Sequence, residues 1–337
     1  MSADKIIADL KKGSVKPVYW LEGDEEFFID QIMDYAEKYI LNESEASFNL
    51  TIFYGRDAAW PDVVNTCRKY PMFSDRQVVL LKEAQSMKDI DKLEGYIEHP
   101  LPSTILFVGY KNKKVDGRTR LAKLLKEKAV FFSTKKLYEK DLPEWLSNMV
   151  QAKGLTIAKK ALALMIDHIG NDLSRMSNEI DKLALNLGDR KNITEDDIEK
   201  YIGISKEYNV FELQQAIAAK DIYKAMRIIQ YFESNPKAAP LPLVFPALYN
   251  YFSKVQMVYT ANVRDEKMLA TAIGVSPWFV KDYITTASRF SAAEVEDIIL
   301  LLHRYNLRSI GINDPGTEDS QLLKEMVIKM IGLPKEA

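Results

Sequence analysis

Two kinds of apolar pattern alternate along the first 140 residues of the chain. Short continuous apolar runs, typical of strands buried on both faces of a parallel sheet, are separated by stretches with a helical repeat. The predicted strands are Pro17–Leu21, Leu50–Tyr54, Gln77–Leu81, Thr104–Tyr110 and Ala129–Thr134. The predicted helices between them are Asp24–Ile40, Ala58–Lys69, Met87–Glu98 and Arg118–Lys128. This alternation predicts an α/β domain with a parallel sheet.

After Asp141 the pattern becomes helical, and no strand is predicted from there to Ala337. The spacing of 3, 4, 3 and 4 predicts an amphipathic helix ended by Gly188, with apolar positions at Leu173, Met176, Ile180, Leu183 and Leu187. Thr194 to Asp197 resembles a capping box, and Gly203–Asn209 is a predicted linker. The remaining residues predict a bundle of helices at Val210–Ala219, Ile222–Phe232, Leu243–Thr260, Glu266–Ile273, Pro277–Ser288, Ala292–Leu307 and Glu318–Ile331.

The first strand, turn and helix, within Lys16–Ile40, have the frame of a nucleotide-binding unit. A P-loop protein places a Gly-rich phosphate cradle and a lysine in such a turn, whereas this chain has the acidic sequence Glu22–Glu26 there. Taken singly, these carboxylates are expected to cap the helix, whose dipole favours them. The chain contains no G-x-x-x-x-G-K-[ST] motif, and the Thr104–Tyr110 strand ends without the Asp-Glu pair that holds Mg²⁺. The sequence therefore predicts an NTPase-like shape without NTPase chemistry.

Composition narrows the class of protein but indicates no activity. The 337 residues carry a formal net charge of −2, so there is no global attraction toward nucleic acid or anionic membranes. The single cysteine, Cys67, excludes a disulfide framework, and the three histidines lack metal-ligand spacing. We find neither a signal peptide nor an apolar run of membrane-spanning length. We expect a soluble cytoplasmic protein, with no cofactor, no metal site and no catalytic residue.

Two local features remain open when only the residues are considered. Tyr70 and Pro71 break a helix and place Met72 and Phe73 on a loop, where such side chains most often fold back into the core. The segment Lys111–Lys140 has eleven basic residues against three acids. It is either a solvated helix face or a surface that contacts nucleic-acid phosphates.

Four passages, in this order, resemble one family over nearly the whole chain: the delta subunit of bacterial DNA polymerase III, part of the sliding-clamp loader. The first is VYWLEGDEEFFID, with GxExxF in place of a P-loop. The second is YPMFSDRQVVLLKEA, with an apolar–Phe pair before SxRxVV. The third is TILFVGYKNKKVDGRTRLAKLLKEKAVFF, with K-x-D-x-R-x-K after the fourth strand. The fourth is YNLRSIGINDPGTEDSQLLKEMVIKM, similar to the C-terminal D-x-x-L-K helix pair.

The resemblance implies an AAA+-like α/β clamp-binding domain at 1–140, a small helical lid at 141–208 and a helical collar at 209–337. It implies that the chain grips the sliding clamp (the beta subunit) and opens its ring for loading on primed DNA, without hydrolysing ATP itself. The collar is expected to contact the tau/gamma and delta-prime subunits. The implied clamp-binding residues are Tyr70, Pro71, Met72 and Phe73. The candidate contacts to primer–template DNA are Lys111, Lys113, Lys114, Arg118, Arg120 and Lys123.

Two alternatives stand beside this interpretation. An inactive scaffold subunit similar to delta-prime usually carries zinc-ligating cysteines, which one cysteine cannot supply. A nucleotide-binding enzyme needs clustered carboxylates for a metal, and the best acidic clusters, Glu22–Glu26 and Glu195–Asp197, fit helix capping better. On the preferred interpretation the chain is part of a DNA-directed DNA polymerase only by association, since it has no polymerase site of its own.

Overall fold

The computed structural model describes residues 2–205, 207–236, 239–261, 263, 265–314 and 316–332. Lys206 of the predicted linker, Pro315 of the fourth family passage and residues 333–337 therefore lie outside the described residues. The chain divides into two compact units, Met1–Leu137 and Tyr138–Ala337.

The first unit is built on a five-stranded, fully parallel sheet with the order β2-β3-β4-β1-β5. Its strands are β1 (Val18–Gly23), β2 (Leu50–Tyr54), β3 (Gln77–Lys82), β4 (Thr104–Lys111) and β5 (Val130–Thr134). Its helices are α1 (Ala3–Lys11), α2 (Glu26–Tyr39), α3 (Glu43–Asn49), α4 (Trp60–Cys67), α5 (Glu94–Glu98) and α6 (Arg120–Lys128). The α/β prediction is thus confirmed, and β2 has the predicted bounds.

Helices cover both faces of this sheet, because successive strand side chains point to opposite sides. In β1, Val18 and Trp20 pack with one apolar cluster, which includes residues of α4, α5 and α6. Tyr19 and Leu21 pack with the other, which includes residues of α1 and α2. Two-sided burial explains why the strands are continuous apolar runs rather than alternating ones.

Two local predictions in this unit were wrong, and one helix was missed. β1 continues through Gly23, so Glu22 lies in a strand and caps no helix. Most of the helix predicted at Met87–Glu98 is 3₁₀ or turn, with α-helical geometry only over α5. Helix α3 was not predicted at all, although Asn42 and Glu45 form a capping box at its start, with Glu45 N–H to Asn42 Oδ1 at 2.9 Å.

The second unit is mostly helical, as predicted. Its helices are α7 (Leu142–Ala152), α8 (Lys159–Ile169), α9 (Leu173–Asn186), α10 (Glu195–Asp197), α11 (Val210–Ala218), α12 (Ile222–Ser234), α13 (Leu241–Thr260), α14 (Glu266–Ala272), α15 (Val280–Ala287), α16 (Ala292–Ser309) and α17 (Asp319–Ile331). The capping box at Thr194 is confirmed, since its N–H donates to Asp197 Oδ2 at 2.9 Å.

The prediction of no strand after Asp141 was wrong. β6 (Thr156–Ile157) and β7 (Asn192–Ile193) form a parallel pair. Two residues are too few to show a hydrophobic period, so pattern reasoning could not detect these strands. In the C-terminal part of this unit, residues of α11, α12, α13, α16 and α17 share one apolar core. The division of the unit into lid and collar stays a prediction.

Candidate functional site

The segment between α4 and β3, loop 68–76, presents large apolar side chains to solvent. Phe73 is 93% exposed, Tyr70 78% and Met72 55%, while Pro71 is half-buried. The core-packing alternative considered from sequence is therefore not what the structure shows for Met72 and Phe73. Burial is the usual fate of such residues, so an exposed Phe beside an exposed Met makes the tip of this loop a candidate binding surface.

The middle of loop 68–76 is fastened to the end of helix α3. The Asn49 side chain, only 3% exposed, accepts a hydrogen bond from Met72 N–H at 2.7 Å and donates one to Met72 C=O at 2.9 Å. One turn earlier, Glu45 Oε1 accepts from Ser74 Oγ at 2.8 Å. Glu45 accepts hydrogen bonds from Asn42 N–H and Ser74 Oγ, and these bonds lower the pKa of its carboxyl group below the ordinary value.

The stem of loop 68–76 is held from the sheet side. Gln77, at the start of β3, donates from Nε2 to Lys69 C=O at 2.5 Å and to Thr66 C=O at 3.2 Å. Thr104, at the start of β4, donates from Oγ1 to Cys67 C=O at 2.8 Å. These buried side chains donate to backbone carbonyls at the end of α4 and just after it, where the helix no longer supplies all the donors. The exposed tip therefore stands on a fixed base.

The β1–α2 turn, where a P-loop would lie, is filled by the protein itself. Gly23 has φ +123°, and a Cβ built there would lie 2.3 Å from Thr134 O. The N–H of Glu25 donates to Thr134 Oγ1 at 3.1 Å, and Phe27 N–H donates to Glu25 Oε1 at 3.4 Å. Amides that cradle a phosphate in a P-loop are thus used internally here.

Glu22 is a structural carboxylate that ties the segment after β4 to the end of β1. It is 3% exposed and accepts from Trp20 Nε1 at 3.0 Å and from Val115 N–H at 3.1 Å. Burial raises the pKa of Glu22, and these two hydrogen bonds oppose that rise.

Several members of the predicted DNA-contacting set are already paired. Lys111 is the most constrained: its Nζ lies 2.8 Å from Asp30 Oδ1 and 2.8 Å from Glu83 Oε1, and its side chain is 12% exposed. Burial opposes its charge, but the hydrogen bonds to Asp30 and Glu83 outweigh burial and raise the pKa of Lys111. Lys111 is therefore occupied by internal contacts and is a poor candidate for a phosphate ligand.

The other five members of that set differ in how much charge they leave free. Lys114 pairs with Asp24 at 2.7 Å, and Arg118 pairs with Asp116 at 2.7 Å. Arg120 pairs with both Glu94 and Glu98. Lys113 donates only to the neutral carbonyl of Gln85, and Lys123 is exposed with no ion pair among the described residues.

The residues considered for metal or nucleophile chemistry do not form a site. Among the described residues, no group of three His, Cys, Asp or Glu side chains is arranged to hold a metal ion. Cys67 is buried, and burial raises the pKa of its thiol to about 12. Within the part of the chain that the structure describes, no helix has the length and apolarity needed to cross a membrane.

Sequence reasoning identified the exposed tip of loop 68–76 but missed the residues that support it. Asn49 and Glu45 lie on α3, which the hydrophobic pattern did not predict. The available signal was the spacing Asn42-x-x-Glu45, typical of a helix start.

Comparisons with known proteins cover both units. A family model described as "DNA polymerase III, delta subunit" matches residues 19–135, and one described as "middle domain" matches residues 138–200. The chain is 28% identical to the DNA polymerase III subunit delta of Bacillus subtilis over 334 residues, 95% of this chain and 94% of that protein. The solved structure of the Bacillus subtilis DNA clamp loader delta protein superposes with a TM-score of 0.55 at 25% identity, covering 98% of this chain and 99% of that one. Together these matches identify residues 19–135 as a DNA polymerase III delta-subunit domain and show that the chain is similar to that subunit over nearly its whole length.

Proposed function

We propose that this chain binds the sliding clamp through loop 68–76 and opens the clamp ring for loading on primed DNA. The observation that carries the proposal is the 93% exposure of Phe73 on a loop whose stem and middle are held by hydrogen bonds. The delta-subunit domain match and the similarity to a clamp loader delta protein make a clamp and other clamp-loader subunits its expected partners.

The two exposed side chains supply the chemistry of a protein-binding hot spot. Burying Met72 and Phe73 in a partner pocket is worth roughly 1.5–3 kcal/mol each. A tip that is already fixed loses little conformational entropy on binding, which leaves more of that free energy for affinity. Met has a flexible thioether that adapts to the shape of a pocket.

We propose that ATP bound at neighbouring subunits supplies the free energy for ring opening. This chain is then the member of the loader that does not hydrolyse ATP. The filled β1–α2 turn supports this division of roles, because Thr134 and Glu25 occupy the amides there. The subunits that bind ATP would change the conformation of the loader, and the conformation with loop 68–76 accessible would bind the clamp.

The remaining features of the proposal are organisational. Residues 1–140 form the clamp-binding domain, 141–208 a lid, and 209–337 a collar that packs against the tau/gamma and delta-prime subunits. The complex works in the cytoplasm, where replication takes place. The scaffold alternative and the enzyme alternative both predict that the isolated chain does not bind the clamp. The enzyme alternative also predicts that the chain binds ATP.

Isothermal titration of purified clamp into the full chain tests the proposal. We expect saturable binding in the micromolar range or tighter, with heat released or absorbed in proportion to complex formed. A parallel titration with Mg-ATP is expected to give no binding at millimolar nucleotide. Absence of clamp binding, both alone and with the other loader subunits present, would refute the clamp assignment, and tight ATP binding would favour the enzyme.

We also propose a weaker contact with primer–template DNA through Lys113 and Lys123, the members of the basic set without an ion pair in the described structure. Each phosphate contact contributes about 0.9 to the slope of log affinity against log salt. In the assembled loader, replacing both lysines by alanine should therefore reduce that slope by about 2. Replacing Lys38, an exposed lysine on α2, is the control. An unchanged slope in the double variant would show that Lys113 and Lys123 face solvent and do not contact DNA phosphates.

A further inference from the structure

The amide of Asn49 is bonded to both backbone groups of one residue in the loop. It accepts from Met72 N–H at 2.7 Å and donates to Met72 C=O at 2.9 Å, across 23 positions of sequence. The same Nδ2 also donates to Glu45 C=O at 3.1 Å within α3. A side-chain amide can accept and donate at once, so Asn49 does for Met72 what a neighbouring strand would do.

The residue after Met72 needs such support, because Phe73 has φ +55°. Only Gly, and less often Asn or Asp, adopts this left-handed conformation without cost. A strained backbone persists where surrounding contacts over-determine it. The hydrogen bonds to Met72 on one side and from Ser74 to Glu45 on the other bracket Phe73.

We propose that Asn49 is a positioning residue for the clamp contact: by fixing the backbone of Met72, it holds Phe73 in the strained conformation that points its ring away from the protein. This inference rests on the proposed function for its biological consequence, but the latch between Asn49 and Met72 is testable in the isolated chain. Asn49 and Glu45 are one helical turn apart and share a face of α3. That face therefore serves as a platform for loop 68–76.

A purely structural role for Asn49, as the residue that ends α3, is the competing explanation. The chain contains a matched control for it. Asn186 ends α9 and donates from Nδ2 to Lys182 C=O at 2.7 Å, the same intrahelical bond. Among the described residues its side chain makes no other hydrogen bond, and the bond that its backbone carbonyl accepts from Tyr201 Oη at 3.3 Å does not involve the amide that alanine removes. Comparing alanine at the two positions separates the end-of-helix role from the loop latch.

Limited proteolysis of the isolated chain tests the latch without any partner. Trypsin can cut after Lys69 and Arg76, on either side of Met72, and native-state cleavage follows the population of the open loop. Loss of both hydrogen bonds in Asn49→Ala is expected to speed cleavage at these sites about tenfold. Asn49→Asp keeps one acceptor but faces Met72 C=O with a carboxylate, so it should also speed cleavage. Asn186→Ala should leave cleavage there unchanged.

Clamp affinity then tests whether the latch positions Phe73. Asn49→Ala should weaken clamp binding about tenfold, and the same change should have less than a twofold effect when Phe73 is already alanine, because its action runs through that ring. If Asn49→Ala is poorly folded by circular dichroism, Asn49→Asp replaces it in both measurements. The Asn186→Ala variant should bind like the parent chain.

The outcomes separate this inference from the proposed function. Cleavage at the parental rate in both Asn49 variants would overturn the latch, whatever the clamp data show. Faster cleavage with unchanged clamp affinity would overturn the positioning role. An equal loss of affinity from Asn49→Ala with and without the Phe73 ring would also overturn it. Whether loop 68–76 contacts the clamp at all is tested separately, by the clamp affinity of the variant in which Met72 and Phe73 are both alanine.

Discussion

Replacing Met72 and Phe73 together with alanine is expected to weaken clamp binding by about a thousandfold, which abolishes it at working concentrations. Truncating a buried apolar anchor typically costs about 2–4 kcal/mol, and each 1.4 kcal/mol is tenfold in affinity. The fold should be unaffected, because Phe73 is 93% and Met72 55% exposed. Surface mutations without buried contacts usually change stability by about 0.5 kcal/mol or less.

Surface plasmon resonance with immobilised clamp measures this loss, and the unfolding midpoint of each variant checks the fold. The control removes comparable apolar surface elsewhere: Leu185 is 85% exposed and Tyr138 71%, both in the second unit. Their double alanine variant should bind clamp like the parent. An affinity for the Met72 and Phe73 variant within threefold of the parent would show that loop 68–76 is not the clamp contact.

Replacing Gly23 with alanine is expected to destabilise the first unit by about 4 kcal/mol or more. Two costs add: a backbone at φ +123° that L residues rarely adopt, and a new Cβ within 2.3 Å of Thr134 O, 2.5 Å of its Oγ1 and 2.7 Å of its N. Because the obstructing atoms belong mainly to the β5 backbone, the sheet itself would have to move. The crowding that causes this cost is also what closes the β1–α2 turn to a phosphate.

Urea unfolding followed by tryptophan fluorescence measures the change in free energy of unfolding. The signal from Trp20, which is fully buried in the first unit, is isolated by replacing Trp60, Trp145 and Trp278 with phenylalanine in the parent and in each variant. Gly95→Ala is the control, since a Cβ at that position in α5 meets open space. It should be neutral or stabilise by up to about 1 kcal/mol. A loss below about 1 kcal/mol for Gly23→Ala would mean that the turn is looser than described and has room for a ligand.

The strands of the first unit could be predicted closely from their hydrophobic runs. The contacts made by the polar residues in its turns could be predicted less well. Two-sided burial leaves an unambiguous signal, which is why β2 was predicted at both ends. The role of Glu22 was not predictable, because its partner Val115 lies 93 residues away and is brought close only by sheet pairing. Helix α3 was missed since most of its seven residues are polar or small and give little periodicity.

The candidate site divides in the same way. Sequence placed Met72 and Phe73 on a loop, but their exposure depends on tertiary contacts from Asn49 and Gln77 that no local pattern reveals. For the basic segment Lys111–Lys140, the sequence overstates how many charges are free to bind a partner. The eleven cations of this segment look available in the sequence, yet Lys111 is neutralised by Asp30 and Glu83, which are distant in sequence.

Site-specific photocrosslinking tests most directly whether Phe73 enters the clamp. A benzoylphenylalanine placed at position 73 should crosslink to purified clamp on irradiation, with mass spectrometry mapping the adduct to an apolar pocket at the edge of the ring. The same amino acid at Leu185, which is also highly exposed, should give no adduct. Crosslinking from position 185 with none from position 73 would contradict the account.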